Sequence, residues 1–276
     1  MKKLILSALF LAFAGILAAC GSSNNASDSK TITVAASKTP HAEILEEAKP
    51  LLKEKGYDLK VKVLSDYKMY NKALAEKEVD ANFFQHIPYL NEENKSNKDY
   101  NLVSAGAVHL EPFGIYSKKY KSVKDIPNGG TIIMTNNVAE QGRMLALLQN
   151  AGVIKIDPKV DTINATVKNI KENPKNLKFK KIAPELTAKA YENSEGDAVF
   201  INVNYAIQNK LNPKKDSIEL EQTKNNPYAN IVAVRGKGEE KFKNKIKTLM
   251  EFFTLIKIKD SSNQKYGRWL YLPVSE

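Results

Sequence analysis

TITVAASKTPHAEILEEAKPLLKEKGYDLKVKVL, residues 31–64, carries a strand, a helix and a second strand in succession. Thr31 to Ala36 is a short apolar run, and Leu59 to Leu64 alternates apolar side chains with lysine, the period of a strand with one wet face. Between them Ala42, Ile44, Leu45, Ala48, Leu51 and Leu52 recur at helical spacing. Thr39 offers an N-cap with Pro40 at the first helical position, and Gly56 stops the helix. Pro50, inside the pattern, predicts a kink. Such a βαβ unit implies a parallel sheet, because the crossover returns the second strand in the same direction.

The alternation continues downstream. A short helix is predicted at Asn71–Lys77, and strands at Val79–Phe84, Leu102–Val108, Phe113–Tyr116 and Thr131–Met134. Val138 to Ala151 reads as a helix ended by Gly152. Later strands are expected at Leu177–Ile182, Asp197–Ile201 and Ile231–Val234, with helices at Pro184–Asn193, Val203–Lys210 and Glu239–Ile258. The class is α/β throughout.

The N-terminus is of another kind. Met1-Lys2-Lys3 is a short positive start, Leu4 to Ala19 is almost wholly apolar, and Leu17-Ala18-Ala19-Cys20 closes the segment with small residues. The run is short for a membrane span and has the flanks of an export signal, residues 1–19. Cys20, the one cysteine, stands where a bacterial lipobox cysteine is lipidated, and the Gly/Ser/Asn-rich residues 20–30 read as a flexible tether. One cysteine permits no intramolecular disulfide and no cysteine-based metal site. The expected location is the extracytoplasmic face of the cell membrane, through a palmitate-type anchor.

A formal charge of +11, from 42 Lys+Arg against 31 Asp+Glu, raises the question of nucleic acid. The lysines are dispersed, and only Arg143, Arg235 and Arg268 could supply forked contacts to base edges, so the charge reads as solvation. Enzyme templates are missing: there is no G-x-S-x-G, no G-x-x-x-x-G-K-[ST] and no H-E-x-x-H. An exported α/β chain of 276 residues suits a two-lobed receptor that closes on a small ligand.

Three constellations are candidates for a site. His41, His86 and His109 each lie beside a predicted strand end or helix start. They read as capping or packing histidines, as a zinc site with an open position, or as pocket walls. His86 sits in Asn82-Phe-Phe-Gln-His-Ile-Pro-Tyr89, an aromatic cluster just past a strand, where α/β sheets place their ligand crevice. Arg143 lies in the first turn of the helix behind Asn136-Asn137; it reads either as a bidentate carboxylate grip or as an exposed arginine paired with Glu140. Asn202 and Asn204 close a strand, and Asn230 opens another. Amides both donate and accept, so they suit an amino-acid head, although asparagine is also a common turn former.

These residues resemble the methionine-binding lipoproteins (NlpA-type) that serve methionine-uptake ABC transporters. The resemblance runs from Ile32 to about Lys247. It is carried by Pro40-His-Ala-Glu-Ile-Leu45, Asp80-Ala-Asn-Phe-Phe-Gln-His-Ile-Pro-Tyr-Leu90, Val108-His-Leu-Glu-Pro112, Tyr116-Ser-Lys-Lys-Tyr120, Glu172-Asn-Pro-Lys-Asn-Leu177 and Asn202-Val-Asn-Tyr-Ala206. The tail, Phe252 to Tyr271, departs from the family's amphipathic helix, which suggests a compensated frameshift or a divergent end.

The resemblance implies a two-lobed periplasmic-binding-protein fold, type II-like, with lobe 1 formed by residues 31–112 and 230–276 and lobe 2 by 113–229. Tyr67, Phe84, His86, Tyr89 and His109 would wall a thioether pocket, Arg143 would hold a carboxylate, and Asn202 with Asn230 the amino acid's polar head. It further implies a monomer that does no chemistry, uses no cofactor or metal, and delivers methionine or a methionyl dipeptide such as glycyl-methionine to a permease with a cytoplasmic ATPase. The alternative from another class is a zinc-dependent hydrolase using His86 and His109.

Overall fold

The structure is a computed structural model and describes residues 30–236 and 243–260. The export signal, Cys20, the tether to Ser29 and the tail from residue 261 lie outside the described residues.

The opening unit forms as its pattern requires: β1 (Thr31–Ser37), α1 (Glu43–Glu54) and β2 (Asp58–Leu64). The helix proper starts later than Pro40, after a wide turn over Lys38–Ala42, and it continues through Pro50. Thr39 does not cap it; its hydroxyl donates to the Glu43 carboxylate at 2.7 Å. Gly56 ends the helix at φ +83°, where a side chain would be strained.

Next come α2 (Tyr67–Ala75), β3 (Ala81–His86), α3 (Ile87–Ser96) and β4 (Leu102–Leu110). After a first crossing from one sheet to the other, residues 111–113, follow β5 (Gly114–Tyr116), β6 (Thr131–Thr135), α4 (Val138–Asn150), and the short strands β7 (Lys155–Ile156) and β8 (Ile170–Glu172). Then come β9 (Lys178–Ile182), α5 (Thr187–Glu192), β10 (Ala198–Ile201), α6 (Val203–Gln208), α7 (Pro213–Asp216) and β11 (Ser217–Leu220). The second crossing leads to β12 (Ala229–Arg235), and α8 (Lys243–Asp260) follows.

Two five-stranded sheets result. One has the order β2-β1-β3-β12-β4 and the other β11-β5-β10-β6-β9. In the first, β1 is parallel to β2 and β3, while β12 returns antiparallel between β3 and β4. In the second, β6 is parallel to β9 and β10, and β5 is antiparallel to β10 and β11.

Each sheet is covered on both faces, as sheets with parallel strands require. In the first, α1 and α8 pack Ile44, Leu45, Leu249 and Phe253 on one side, and α2 and α3 pack Tyr70, Leu74 and Leu90 on the other. In the second, α4 supplies Met144, Leu145 and Leu148, and α5 and α6 cover the opposite face with Ala188, Ala190 and Tyr205. All six residues of β3 are buried, consistent with its central position, whereas β2 at the edge exposes Lys60 and Lys62.

The two crossings are stitched together. The Glu221 N–H donates to Phe113 O at 2.9 Å, and the Phe113 N–H donates back to the Glu221 carboxylate at 3.0 Å.

Candidate functional site

A cavity enclosing about 380 Å³ of non-atom space, open solvent included, lies between residues of the two sheets. Tyr67, Phe84, His86, Tyr89, Arg143, Asn202 and Asn230 all line it, seven of the eight side chains expected from the sequence.

The aromatic wall belongs to the first lobe. The C-terminal end of β3 places Phe84 and His86, and Phe84 stacks on Tyr70 with centroids 4.0 Å apart and planes at 12°. Tyr67, at the start of α2, tilts against Phe84 at 5.5 Å and meets Tyr89 edge-on at 6.1 Å. Beneath this wall Asn71, Asn82 and Gln85 exchange four side-chain hydrogen bonds of 2.6–2.9 Å, all buried. A buried amide network satisfied in this way fixes the backbone from which Phe84 and His86 project.

Two tyrosines cross the cleft in opposite directions. Tyr67 Oη donates to Asn204 Oδ1 at 2.7 Å, and Tyr205 Oη donates to Ser65 O at 2.8 Å. Their rings pack on each other at 5.3 Å.

His86 is both cap and site residue. Its Nδ1 accepts the Tyr89 N–H at 3.2 Å at the start of α3, a helix the sequence reading did not anticipate. Burial pushes the imidazole below its ordinary pKa despite Glu140 nearby. The neutral ring therefore carries its proton on Nε2, 3.6 Å from Glu140 Oε1.

Helix α4 supplies the charges. Asn137 caps it by accepting the Ala139 N–H at 3.0 Å, and its buried face includes Glu140, Gly142 and Arg143. Arg143 lies in the second turn, not the first, and its partner is not Glu140. Its Nε donates to Glu221 Oε1 at 2.8 Å, and Nη2 donates to Glu221 Oε2 and to the Glu111 carbonyl at 2.5 and 2.6 Å. The rings of Tyr228 and Phe113 lie 4.5 and 5.2 Å from Cζ. Burial works against this charge, but Glu221 holds the guanidinium pKa above its usual value. The reading of Arg143 as an exposed helix residue is thus corrected.

Glu140 is 2% exposed and lines the same cavity. Its Oε1 accepts from Asn202 Nδ2 at 2.6 Å and its Oε2 from Thr135 Oγ1 at 3.1 Å. Burial opposes its charge, yet the facing His86 ring, the field of Arg143 and the hydrogen bond from Asn202 hold its carboxyl below the usual carboxylate range.

His109 is the exception among the expected residues. It does not line the cavity but packs behind it, edge-on to Phe83 at 5.3 Å, with Nε2 2.8 Å from Glu111 Oε1. The inward face of β4 turns it toward His41, which holds Ser37 through Nδ1 at 2.6 Å and lies 3.3 Å from Glu111 through Nε2. The donor atoms of His41, His109 and Glu111 lie within 4.8 Å of one another, the one such group among the described residues. His86 is outside it, engaged with Tyr89 and Glu140, so the His86–His109 zinc pair is not assembled.

Glu111, Glu140 and Glu221 are site residues that sequence reasoning missed. For Glu140 the available signal was its place three residues before Arg143, which puts both on one helix face. Glu221 carries no such signal, since 78 residues separate it from Arg143.

A cavity closed between two α/β lobes, walled by aromatics and carrying a fixed arginine, defines a two-lobed solute-binding receptor. The chain belongs to the NlpA lipoprotein family, which matches over residues 32–274 and so takes in the whole of Phe252 to Tyr271, the stretch expected to diverge. It is 74% identical over 277 residues, the whole of both chains, to the methionine-binding lipoprotein MetQ of Bacillus subtilis (strain 168). A crystal structure of a lipoprotein from Bacillus subtilis subsp. subtilis strain 168 superposes with a TM-score of 0.85 at 75% identity, covering 90% of this chain and 99% of that one. A nutrient-binding protein from Burkholderia cenocepacia, solved bound to methionine, gives a TM-score of 0.80 at 36% identity, covering 88% of this chain and all of the other.

Proposed function

We propose that this chain is a lipid-anchored extracytoplasmic receptor that captures methionine and passes it to an ABC importer, with no catalytic step of its own. The observation that carries the reading is the cavity itself, which joins an apolar aromatic wall to opposite charges on one helix. The thioether lies against Tyr67, Phe84 and Tyr89, where a polarisable sulfur gains from ring contact. Arg143 offers the carboxylate its positive charge rather than a bidentate fork, since Nε and Nη2 are engaged by Glu221 and the Glu111 carbonyl, while His86, Asn202 and Asn230 surround the polar head. His109 acts one layer back, by holding Glu111.

In this reading residues 31–112 and 230–276 form one lobe and 113–229 the other, and the two crossings act as the hinge. Residues 1–19 are removed on export, and Cys20 carries the lipid. The B. subtilis relative bears the name of a methionine-binding lipoprotein, and the B. cenocepacia neighbour was solved with methionine, which supports the choice of ligand. Among the described residues no helix is long and apolar enough to cross a membrane, so the lipid is the anchor this reading needs.

Native mass spectrometry of the chain from Lys30 onward, purified without added ligand, tests the proposal. A co-purified methionine or methionyl dipeptide is expected. A zinc adduct in place of either would overturn it.

A further inference from the structure

We propose that His41, His109 and Glu111 form a binding site for one divalent transition-metal cation, with Zn2+ the best fit, one layer behind the ligand cavity. The proposal stands apart from the methionine reading and does not depend on it.

The three residues come from three segments: the turn Lys38–Ala42, strand β4 and the first crossing. Their donor atoms lie within 4.8 Å of one another, and all three side chains are buried. Both imidazoles address one oxygen: His109 Nε2 lies 2.8 Å and His41 Nε2 3.3 Å from Glu111 Oε1. Zinc bonds of about 2.0 Å in tetrahedral geometry set two ligand atoms about 3.3 Å apart, so these separations need little change.

The His41 ring marks the place a cation would take. Its Nδ1 is 2.6 Å from Ser37 Oγ, and that hydroxyl has the Thr39 carbonyl as an acceptor at 3.5 Å. With protons running from Nδ1 to Ser37 and from Ser37 to Thr39, Nε2 is left with a lone pair. Nε2 is buried and makes no hydrogen bond among the described residues, although Glu111 Oε1 stands close and the Asn230 side chain also faces the ring. A buried lone pair set against a carboxylate oxygen is costly unless a positive centre lies between them, and a metal ion supplies one.

The donor set narrows the ion. Two imidazoles and a carboxylate suit Zn2+, whereas Ca2+ and Mg2+ ask for oxygen ligands alone. Burial keeps the His41 ring neutral at pH 7, as ligation requires. At His109 the ion takes the place of the Nε2 proton, which passes to Nδ1 of the same ring. Arg143, whose field reaches Glu111, is already paired with Glu221. Glu111 is the member that lines the cavity, so the ion enters from that side. Once bound it would pin the turn, β4 and the crossing to one another.

The test is calorimetric titration with ZnCl2 at pH 7 of the full chain in detergent, first stripped with a chelator. One equivalent with a Kd of about 1 µM or tighter is expected. A hundredfold excess of Zn2+ over that Kd should raise the melting temperature by about 5–10 °C. His41→Gln and Glu111→Gln should each weaken Zn2+ at least about a hundredfold. Co2+ on the wild type should show the intense visible bands of a four-coordinate site in place of the faint ones of the aquo ion. A wild type that binds no Zn2+ overturns the proposal, and so does unchanged affinity in His41→Gln, which would mean an adventitious ion only. Should neither variant fold, the Co2+ spectrum decides, and an aquo-like spectrum overturns the site. Methionine is then added to the same preparations: methionine binding without Zn2+ removes this site alone, and Zn2+ binding without methionine removes the methionine reading alone.

Discussion

Gly142→Ala separates helix propensity from packing at the point where the site is built. In an isolated helix the change would stabilise by about 1 kcal/mol, because alanine loses less backbone freedom than glycine. In this fold Gly142 lies against the turn at Thr162 and Ile163. A Cβ there would stand 2.5 Å from Ile163 O and closer still to Thr162 O. Both obstacles are backbone, so no side chain can swing aside, and α4 or the turn must move by about 1 Å to restore contact distance. Overpacking of this kind costs about 1–3 kcal/mol, more than the propensity gain at its upper end. A net loss of up to about 2 kcal/mol lowers the melting temperature by up to about 8 °C in a body of this size. The same shift acts on Glu140 and Arg143, which flank the glycine. Hydrogen bonds of 2.6 Å to Asn202 and 2.8 Å to Glu221 do not survive an added 1 Å or so, and methionine affinity should fall by about tenfold. Thermal denaturation and calorimetry on the same preparations read both effects. A variant that melts at or above the wild-type temperature and binds equally well would refute the reasoning, since propensity would then have outweighed contact.

Arg143→Ala should weaken methionine binding at least about tenfold by calorimetry and also destabilise the fold by about 3–5 kcal/mol, because the Glu221 carboxylate is left without its cation. Adding Glu221→Gln should restore part of the stability and none of the affinity, a separation that a double-mutant cycle measures. Tyr67→Phe removes the bond to Asn204 across the cleft, worth about 1 kcal/mol, and should raise the methionine Kd several-fold while the aromatic wall stays in place. Acid should loosen the fold through His41, which burial pushes down to about 4 from 6.5 although Glu111 works to raise it. Between those pH values the unfolded chain binds the extra proton, so stability rises with pH across the window and is lost as pH falls through it. The melting temperature should drop from pH 7 to 4.5, less steeply in His41→Gln. Glu111, held above the usual carboxylate range by burial, acts in the opposite sense, so the difference in slope is the readout.

What could be read from the chain was local. The β1–α1–β2 unit, the aromatic run ending at Tyr89 and the helix bearing Arg143 announce themselves because period, caps and breakers act over a few residues. The helix Ile87–Ser96 escaped notice because a histidine caps it and Glu92-Glu93-Asn94-Lys95 dilutes its apolar face. The strand Ser217–Leu220 is short and half-buried throughout, leaving no alternation to find. The other failures are of distance. His109 was expected in the wall, but strand pairing sets it opposite Asn230 and turns it into the core beside His41 and Phe83. Arg143 was weighed against Glu140, its helix neighbour, whereas its fork closes on Glu221 from the second crossing. Such pairings depend on tertiary register, which no window of sequence contains.

The reciprocal tyrosine bonds across the cleft, Tyr67 to Asn204 and Tyr205 to Ser65, connect the lobes through protein groups alone. At about 1 kcal/mol each they move the balance between open and shut receptors toward shut by about thirtyfold before any ligand arrives. Apparent affinity is the intrinsic affinity scaled by the fraction of receptors in the competent state, so such latches bear directly on scavenging at low concentration. Under the proposed delivery to an importer, the corresponding burden falls on that partner. A transporter that recognised shut lobes alone would also engage empty receptors, so productive handover requires it to sense the occupant as well as the shape.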